Sequence, residues 1–281
     1  MKRRAWPAVA ASPPSTLALK LAKYAAVGKI TLRNHFAYVL DFVIRSLFLL
    51  VILFIFVQLW TVTYAGVGTD QIAGYRFGEI IWYLIFAEAI IMASPKLNTT
   101  IEEEVKTGTV AYRLSRPLSY IGYHYVGYMG EALIRLVVNL VVGGLLGLAV
   151  IGPPQLGWGW AGFGLIVLGS FTINYFIRMS LSLCSFWLEE TQGLAFVYDK
   201  LLFTVGGMML PLELFPDALR AVCEWLPFQT IVYFAAKTAI HYDTGRLLSM
   251  LAVQCLWVAV LGLLTVGIYR KGVKMLHVNG G

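Results

Sequence analysis

Acids and bases gather in one short stretch of this chain, residues 101–120, which reads IEEEVKTGTVAYRLSRPLSY. Glu102, Glu103 and Glu104 stand in a row, Lys106, Arg113 and Arg116 follow, and Pro117 closes the segment. Such a stretch offers charge that fixes the register of a protein contact, with apolar positions beside it for affinity. Catalysis would ask for a histidine grouped with a carboxylate, or a cluster of metal ligands. His35, His124, His241 and His277 are scattered, and Cys184, Cys223 and Cys255 show no paired spacing. No disulfide framework and no metal site is implied.

A second chemical candidate is Glu88, about ten residues into an apolar run with no basic residue within one helical turn. An ionisable group at the centre of a bilayer costs at least ~2.5 kcal/mol. Glu88 therefore faces the interior, either paired with another helix or lining a translocation pathway. The other charges inside apolar runs have closer company. Asp41 and Arg45 are four apart, as are Glu131 and Arg135, so each pair can neutralise itself along one helix face. Arg178, Asp199 and Lys200 fall near the ends of their runs, where long side chains reach the headgroups.

These residues need a scaffold, and composition defines it. Of 281 residues, 59% are hydrophobic and 13% charged, with mean hydropathy +0.74. Soluble domains carry about 25% charged residues, too many for this chain to match, and several apolar runs approach the ~20 residues needed to cross a bilayer. The fold class is all-α, a polytopic membrane protein. Six spans are expected, at about 37–64, 78–95, 120–151, 158–187, 192–212 and 247–270. The start, MKRRAWPAVAASPPS, has a basic head but no apolar core, so it reads as a cytoplasmic tail rather than a secretory signal. Residues 15–35 alternate apolar positions with Lys20, Lys23, Lys29 and Arg33, the pattern of an amphipathic interfacial helix. The organisation is thus 1–36, tail and interfacial helix; 37–270, the membrane domain; and 271–281, a cytoplasmic tail.

Basic residues set the orientation. With both termini in the cytoplasm, fourteen Lys/Arg lie inside against four outside (Arg76, Arg220, Lys237 and Arg246). The net charge of +7 is thus membrane orientation rather than a nucleic-acid footprint. On the outer side, 206–228 is broken by Pro211, Pro216 and Pro227 into pieces too short to cross. They read as re-entrant or surface helices dipping into the outer leaflet. Tyr120, Tyr123, Tyr125, Tyr128, Trp158 and Trp160 fall at expected interfaces and read as anchoring belts. Gly143 and Gly147 make a pair suited to close helix contact.

Within the charged stretch, Thr100 and Glu103 predict a capping box, Gly108 a helix end, Thr109 a second cap, and Pro117 a stop. Ile101 and Val105 share one face of the first helix, Val110 and Leu114 one face of the second. Two readings fit: a solvated loop whose glutamates suit the helix ends, or a docking helix for a cytoplasmic partner.

Residues 101–118 resemble the first coupling helix of ABC-2 type ATP-binding-cassette permeases. Glu104, Lys106, Gly108, Thr109, Val110, Leu114, Pro117 and Leu118 match the pattern of that motif in order, and Arg116 directly before the proline departs from it. The leading amphipathic helix, the six spans and the proline-broken piece are also similar to this family, and the ending HVNGG looks like the subgroup that pairs one ATPase with two half-permeases. The resemblance implies that the coupling helix, about 98–117, sits in a groove of a cytoplasmic ATPase. Glu102, Glu103, Glu104, Lys106 and Arg113 would contact that ATPase, Gly108 and Thr109 would belong to the same docking helix, and Val110 and Leu114 would be buried anchors. It also implies two ATPase copies, a second permease chain (identical or paralogous), a bacterial inner or plasma membrane, and export of a lipophilic or amphipathic substrate. Gly28-Lys29-Ile30-Thr31 lacks the earlier glycine and the adjacent threonine of a phosphate loop. No cofactor is therefore expected in this chain, ATP and Mg belonging to the partner ATPase. The rival readings are a proton-coupled secondary transporter using Glu88 and an intramembrane lipid-modifying enzyme.

Overall fold

The computed structural model describes residues 22–29, 39–115, 118–154 and 157–279. The expected N-terminal tail, Arg116 and Pro117 lie outside the described residues, as do the side chains of Asp41 and Arg45, whereas the expected C-terminal tail is helical as far as Asn279. Of the interfacial helix expected over 15–35, the described part, 22–29, is helical (α1).

A long helix, α2 (Val39–Val67), leads to a two-stranded hairpin, β1 (Gln71–Ile72) and β2 (Tyr75–Arg76). Ala73 and Gly74 form its two-residue turn, both with positive φ, the combination that matches the twist of a tight hairpin. The chain returns through α3 (Phe77–Ala93), whose first turn is fixed by Glu79 accepting from the Arg76 N–H at 2.8 Å. Then come two short helices, α4 (Leu97–Lys106) and α5 (Thr109–Leu114), and two long ones, α6 (Tyr120–Val150) and α7 (Gly159–Leu183). α8 (Gln192–Val205), α9 (Asp217–Trp225) and α10 (Tyr233–Ile240) are short, and α11 (Thr244–Asn279) is long.

Five of these segments are long and apolar enough to cross a membrane: those built on α2, α3, α6, α7 and α11. The expected span at 192–212 differs: its helix, α8, has 14 residues, below the ~17 needed to cross by itself. Gly206 caps α8, and Gly207 turns the chain with φ 77, a conformation that disfavours any residue with a Cβ. The three prolines beyond it act as expected on local structure. Pro211 precedes a 3-10 turn at Leu212–Leu214, Pro216 precedes α9, and Pro227 opens another turn at Pro227–Thr230.

α3 is the axis of the bundle. It packs against α2, α6 and α10, and Ile80 to Ile90 are buried without a break. α6 buries a stripe at spacings of three and four, Tyr120, His124, Tyr128, Ala132, Leu136, Asn139, Gly143 and Gly147, of which Asn139, Gly143 and Gly147 meet α3. In lipid the outside of a helix can be as oily as the core, so small and polar residues, not apolar ones, mark the packed face. A Cβ on Gly147 would stand 2.6 Å from Ile85 and 2.9 Å from Trp82, so the close approach needs glycine. The stripe also corrects the aromatic belt: Tyr120 and Tyr128 are buried in the bundle, whereas Trp158 and Trp160 are exposed.

Side-chain hydrogen bonds join the helices at several levels. Ser46 on α2 donates to Asn139 on α6 at 2.7 Å, and Asn139 donates to the Ala89 carbonyl on α3 at 3.3 Å. Asn174 on α7 reaches Ser94 at 2.7 Å and accepts from Tyr198 on α8 at 2.7 Å. Gln254 on α11 donates to the Ile166 and Thr230 carbonyls at 3.0 and 2.9 Å. Such bonds average about 0.6 kcal/mol each in a membrane, so their value lies in fixing which helix faces which.

Candidate functional site

The acid-rich stretch forms a helical elbow at one end of the bundle, opposite the hairpin. α3 ends at Ala93, and Pro95 stops it from running on into α4. The expected capping box does not form, because α4 starts at Leu97, three residues before Thr100, with Lys96 as its cap. Gly108 ends the first arm as expected, in the left-handed region at φ 72. It also caps the second arm, so Thr109 is the first helical residue rather than the cap, and its hydroxyl lies 2.8 Å from that of Thr107.

The glutamates face different ways. Glu102 is buried, and its Oε2 accepts from both the N–H and the hydroxyl of Thr191 at 3.0 and 2.9 Å. Thr191 is itself wholly buried and immediately precedes α8. Lys106 closes the other side of the same carboxylate at 2.7 Å. Glu104 is also buried. The Tyr120 hydroxyl donates to it at 2.9 Å, His124 Nε2 stands 3.3 Å away, and Arg113 forms an ion pair at 2.8 Å. The Arg113 guanidinium lies 4.8 Å above the Tyr123 ring. One carboxylate thus ties α4 to the entry of α8, and the other ties it to α5 and the first turns of α6.

Val110 is fully buried within its own chain, in the same core as Ile101, and Leu114 packs partly buried against that core. The exposed edge of the elbow is instead Glu103, Lys106, Thr107, Gly108 and Thr109. Sequence reasoning missed Tyr112, 63% exposed on α5. It also missed the loop entering α8, where Trp187, Leu188, Glu189 and Glu190 are exposed and share a shallow groove with Lys106. The signal was available: WLEE is a short amphipathic patch at the end of an apolar run.

A second charged cluster, also missed, sits at the hairpin end. Lys237 on α10 is buried, paired with Glu213 at 2.7 Å and donating to the Tyr75 hydroxyl at 2.9 Å. Tyr233 donates to Glu213 at 2.7 Å, and Tyr75 donates to it at 3.3 Å. Tyr83 bonds the Gly207 carbonyl, and the His241 ring lies tilted 4.8 Å from that of Tyr75, with Glu79 at 3.5 Å. Burial alone would raise the Glu213 carboxyl, but the Lys237 ammonium and the Tyr233 hydroxyl outweigh it and hold it below the usual range. Burial, then the nearby Lys237, pushes the His241 imidazole down.

The intrahelical pair Glu131–Arg135 forms as expected, and Arg178 pairs with Asp199 at 2.6 Å. Glu88 is buried in the middle of α3, and its Oε1 has no hydrogen-bond partner among the described residues.

Long apolar helices packed through small and polar faces, with a charged elbow at one end, define a multi-pass membrane protein. The chain belongs to the ABC-2 family: residues 47–280 match the family described as ABC-2 family transporter protein. It is an ABC-2 type permease, and membership implies an ABC ATPase and a membrane partner. No curated protein matches the chain.

Proposed function

We propose that the chain is the permease half of an ABC exporter, driven by an ATPase that docks on the exposed edge of the elbow. The observation that carries this reading is the division of labour within the elbow. Glu102 and Glu104 turn inward to α8 and α6, while Glu103 and Tyr112 remain at the surface. A push on the outer edge then moves both helices through short, charged hydrogen bonds. Trp187 to Glu190 extend the same docking face. ATP and Mg are held by the ATPase, of which two copies serve two permease chains, identical or paralogous.

The elbow lies on the cytoplasmic side in this reading, as the distribution of Lys and Arg favours. Thr191 is bonded at the elbow end and Glu213 at the hairpin end, so α8 and the irregular segment after it make a sixth crossing. Both termini are then cytoplasmic. α9 presents Leu219, Val222 and Trp225, the last 84% exposed, to the outer leaflet. The cargo is lipophilic or amphipathic.

The test is co-purification of an ATPase with the chain expressed together with its genomic neighbours. Glu103→Lys with Tyr112→Ala is expected to leave the permease folded and release the ATPase. Full retention of the ATPase by that variant refutes the docking edge. The second reading, a proton-coupled carrier, draws on the unpartnered Glu88 oxygen. It requires transport to continue when ATP is depleted and to stop in Glu88→Gln.

A further inference from the structure

A cavity of about 810 Å³ opens beside the elbow, between the α3–α4 junction, α5, α6, α7 and α8. Five of its lining residues are Lys or Arg and three are carboxylates, an excess of positive charge inside a membrane protein. The carboxylates are already neutralised: Glu104 by Arg113, Glu131 by Arg135, and Asp199 by Arg178. Lys96 and Lys200 remain, with no carboxylate within ion-pair distance among the described residues. The Lys200 ammonium lies 5.2 and 6.0 Å from the ring centres of Phe196 and Phe203, neutral contacts that leave its charge in place.

The walls are graded. α3 runs toward the elbow and α8 away from it, so Ile91, Met92, Leu202, Phe203 and Met208 lie deeper in the bundle than Lys96 and Lys200. The cavity is therefore cationic at its rim and apolar along two walls. A zwitterionic headgroup would bring its own cation to a rim that already has surplus positive charge. A soluble anion would leave the apolar walls wet.

We propose that this cavity binds an anionic amphiphile, with its phosphate or carboxylate between Lys96 and Lys200 and its chain against Ile91, Met92 and Phe203. The site goes beyond the transport reading, since occupancy depends neither on an ATPase nor on which side of the membrane the elbow faces.

The experiment uses the full chain in phosphatidylcholine nanodiscs, with chain-labelled spin probes of phosphatidylglycerol and phosphatidylcholine. The fraction immobilised by the protein reports binding. Phosphatidylglycerol is expected to be preferred, and Lys96→Gln and Lys200→Gln each to weaken it about fivefold, the double variant about thirtyfold. Lys271→Gln with Lys274→Gln, on α11 away from the cavity, is expected to change it by less than about twofold. Glycerol phosphate, the headgroup without chains, should fail to compete. Three results would overturn the proposal: equal immobilisation of both lipids, equal weakening by the α11 variant, or competition by glycerol phosphate as effective as by the lipid. Unchanged elution and helicity of the glutamine variants guard against misfolding as the cause.

Discussion

Glu102 and Thr191 are 89 positions apart in sequence and joined by two hydrogen bonds to one carboxylate oxygen, at 3.0 and 2.9 Å, with both residues buried. The contact makes the elbow and the entry to α8 one mechanical unit. Bonds to a charged group contribute about 1.5–3 kcal/mol, so Glu102→Gln is expected to lower unfolding free energy by roughly that amount. Thr191→Val removes the hydroxyl but keeps the N–H, and should cost less. In a double-mutant cycle the two should couple by about 0.5–3 kcal/mol. Thermal unfolding in detergent measures both. Strictly additive losses would show that the bonds do not tie the segments together.

Glu104 and Glu103 are neighbours with opposite fates, and their variants separate folding from docking. Removing one partner of a buried ion pair costs about 3–5 kcal/mol, and the partly exposed Arg113 places Glu104→Ala near the lower limit. Glu103→Lys changes an exposed side chain and should alter stability by less than about 0.5 kcal/mol. Its effect is expected in ATPase retention instead. A Glu104→Ala variant as stable as the parent would deny the buried cluster its structural role.

Much of this was legible in the sequence, though not through the usual amphipathic pattern. The long helices carry oily residues on every side, so length and hydropathy locate them without showing which face packs. The face becomes visible only when the exceptions are followed. Tyr120, His124 and Tyr128, then Asn139, Gly143 and Gly147, recur every four residues and trace the buried side of α6. The tyrosines in that stripe looked like interface anchors because composition records an aromatic near a helix end, not the direction it points. Glu102, Glu103 and Glu104 were likewise indistinguishable as letters. Their roles depend on where Thr191, Tyr120 and His124 arrive from distant parts of the chain.

The glycines of α6 allow a sharp control. Gly147→Ala would place a methyl within 2.6 Å of Ile85, and overpacking of this kind costs typically 1–3 kcal/mol. At Gly144 an added Cβ meets nothing within 4 Å, so Gly144→Ala should be neutral or stabilising by up to about 1 kcal/mol. Equal behaviour of the two in a thermal melt would place the α3–α6 contact elsewhere.

The hairpin-end cluster predicts how that end responds to acid. His241 is held below its ordinary value near 6.5, so the unfolded chain takes up its proton first as pH falls. The fold therefore loses stability from His241 below about pH 6.5, down to the depressed folded value. Glu213 also has a lowered folded value, and its contribution is complete above the unfolded carboxylate range near 4.5. It is lost only as pH drops through that range and beyond. Melting temperature should thus decline gently from pH 7 to 5 and steeply below it. His241→Gln should flatten the first phase and leave the second. Lys237→Met strands the buried Glu213 carboxylate and lifts its folded value above the unfolded one near 4.5, so its share of the loss below pH 5 should vanish and stability should instead rise as pH falls toward that value. If Lys237→Met instead melts with the parent's profile below pH 5, the ion pair of Glu213 and Lys237 does not hold α10 against the turn at Leu212–Leu214.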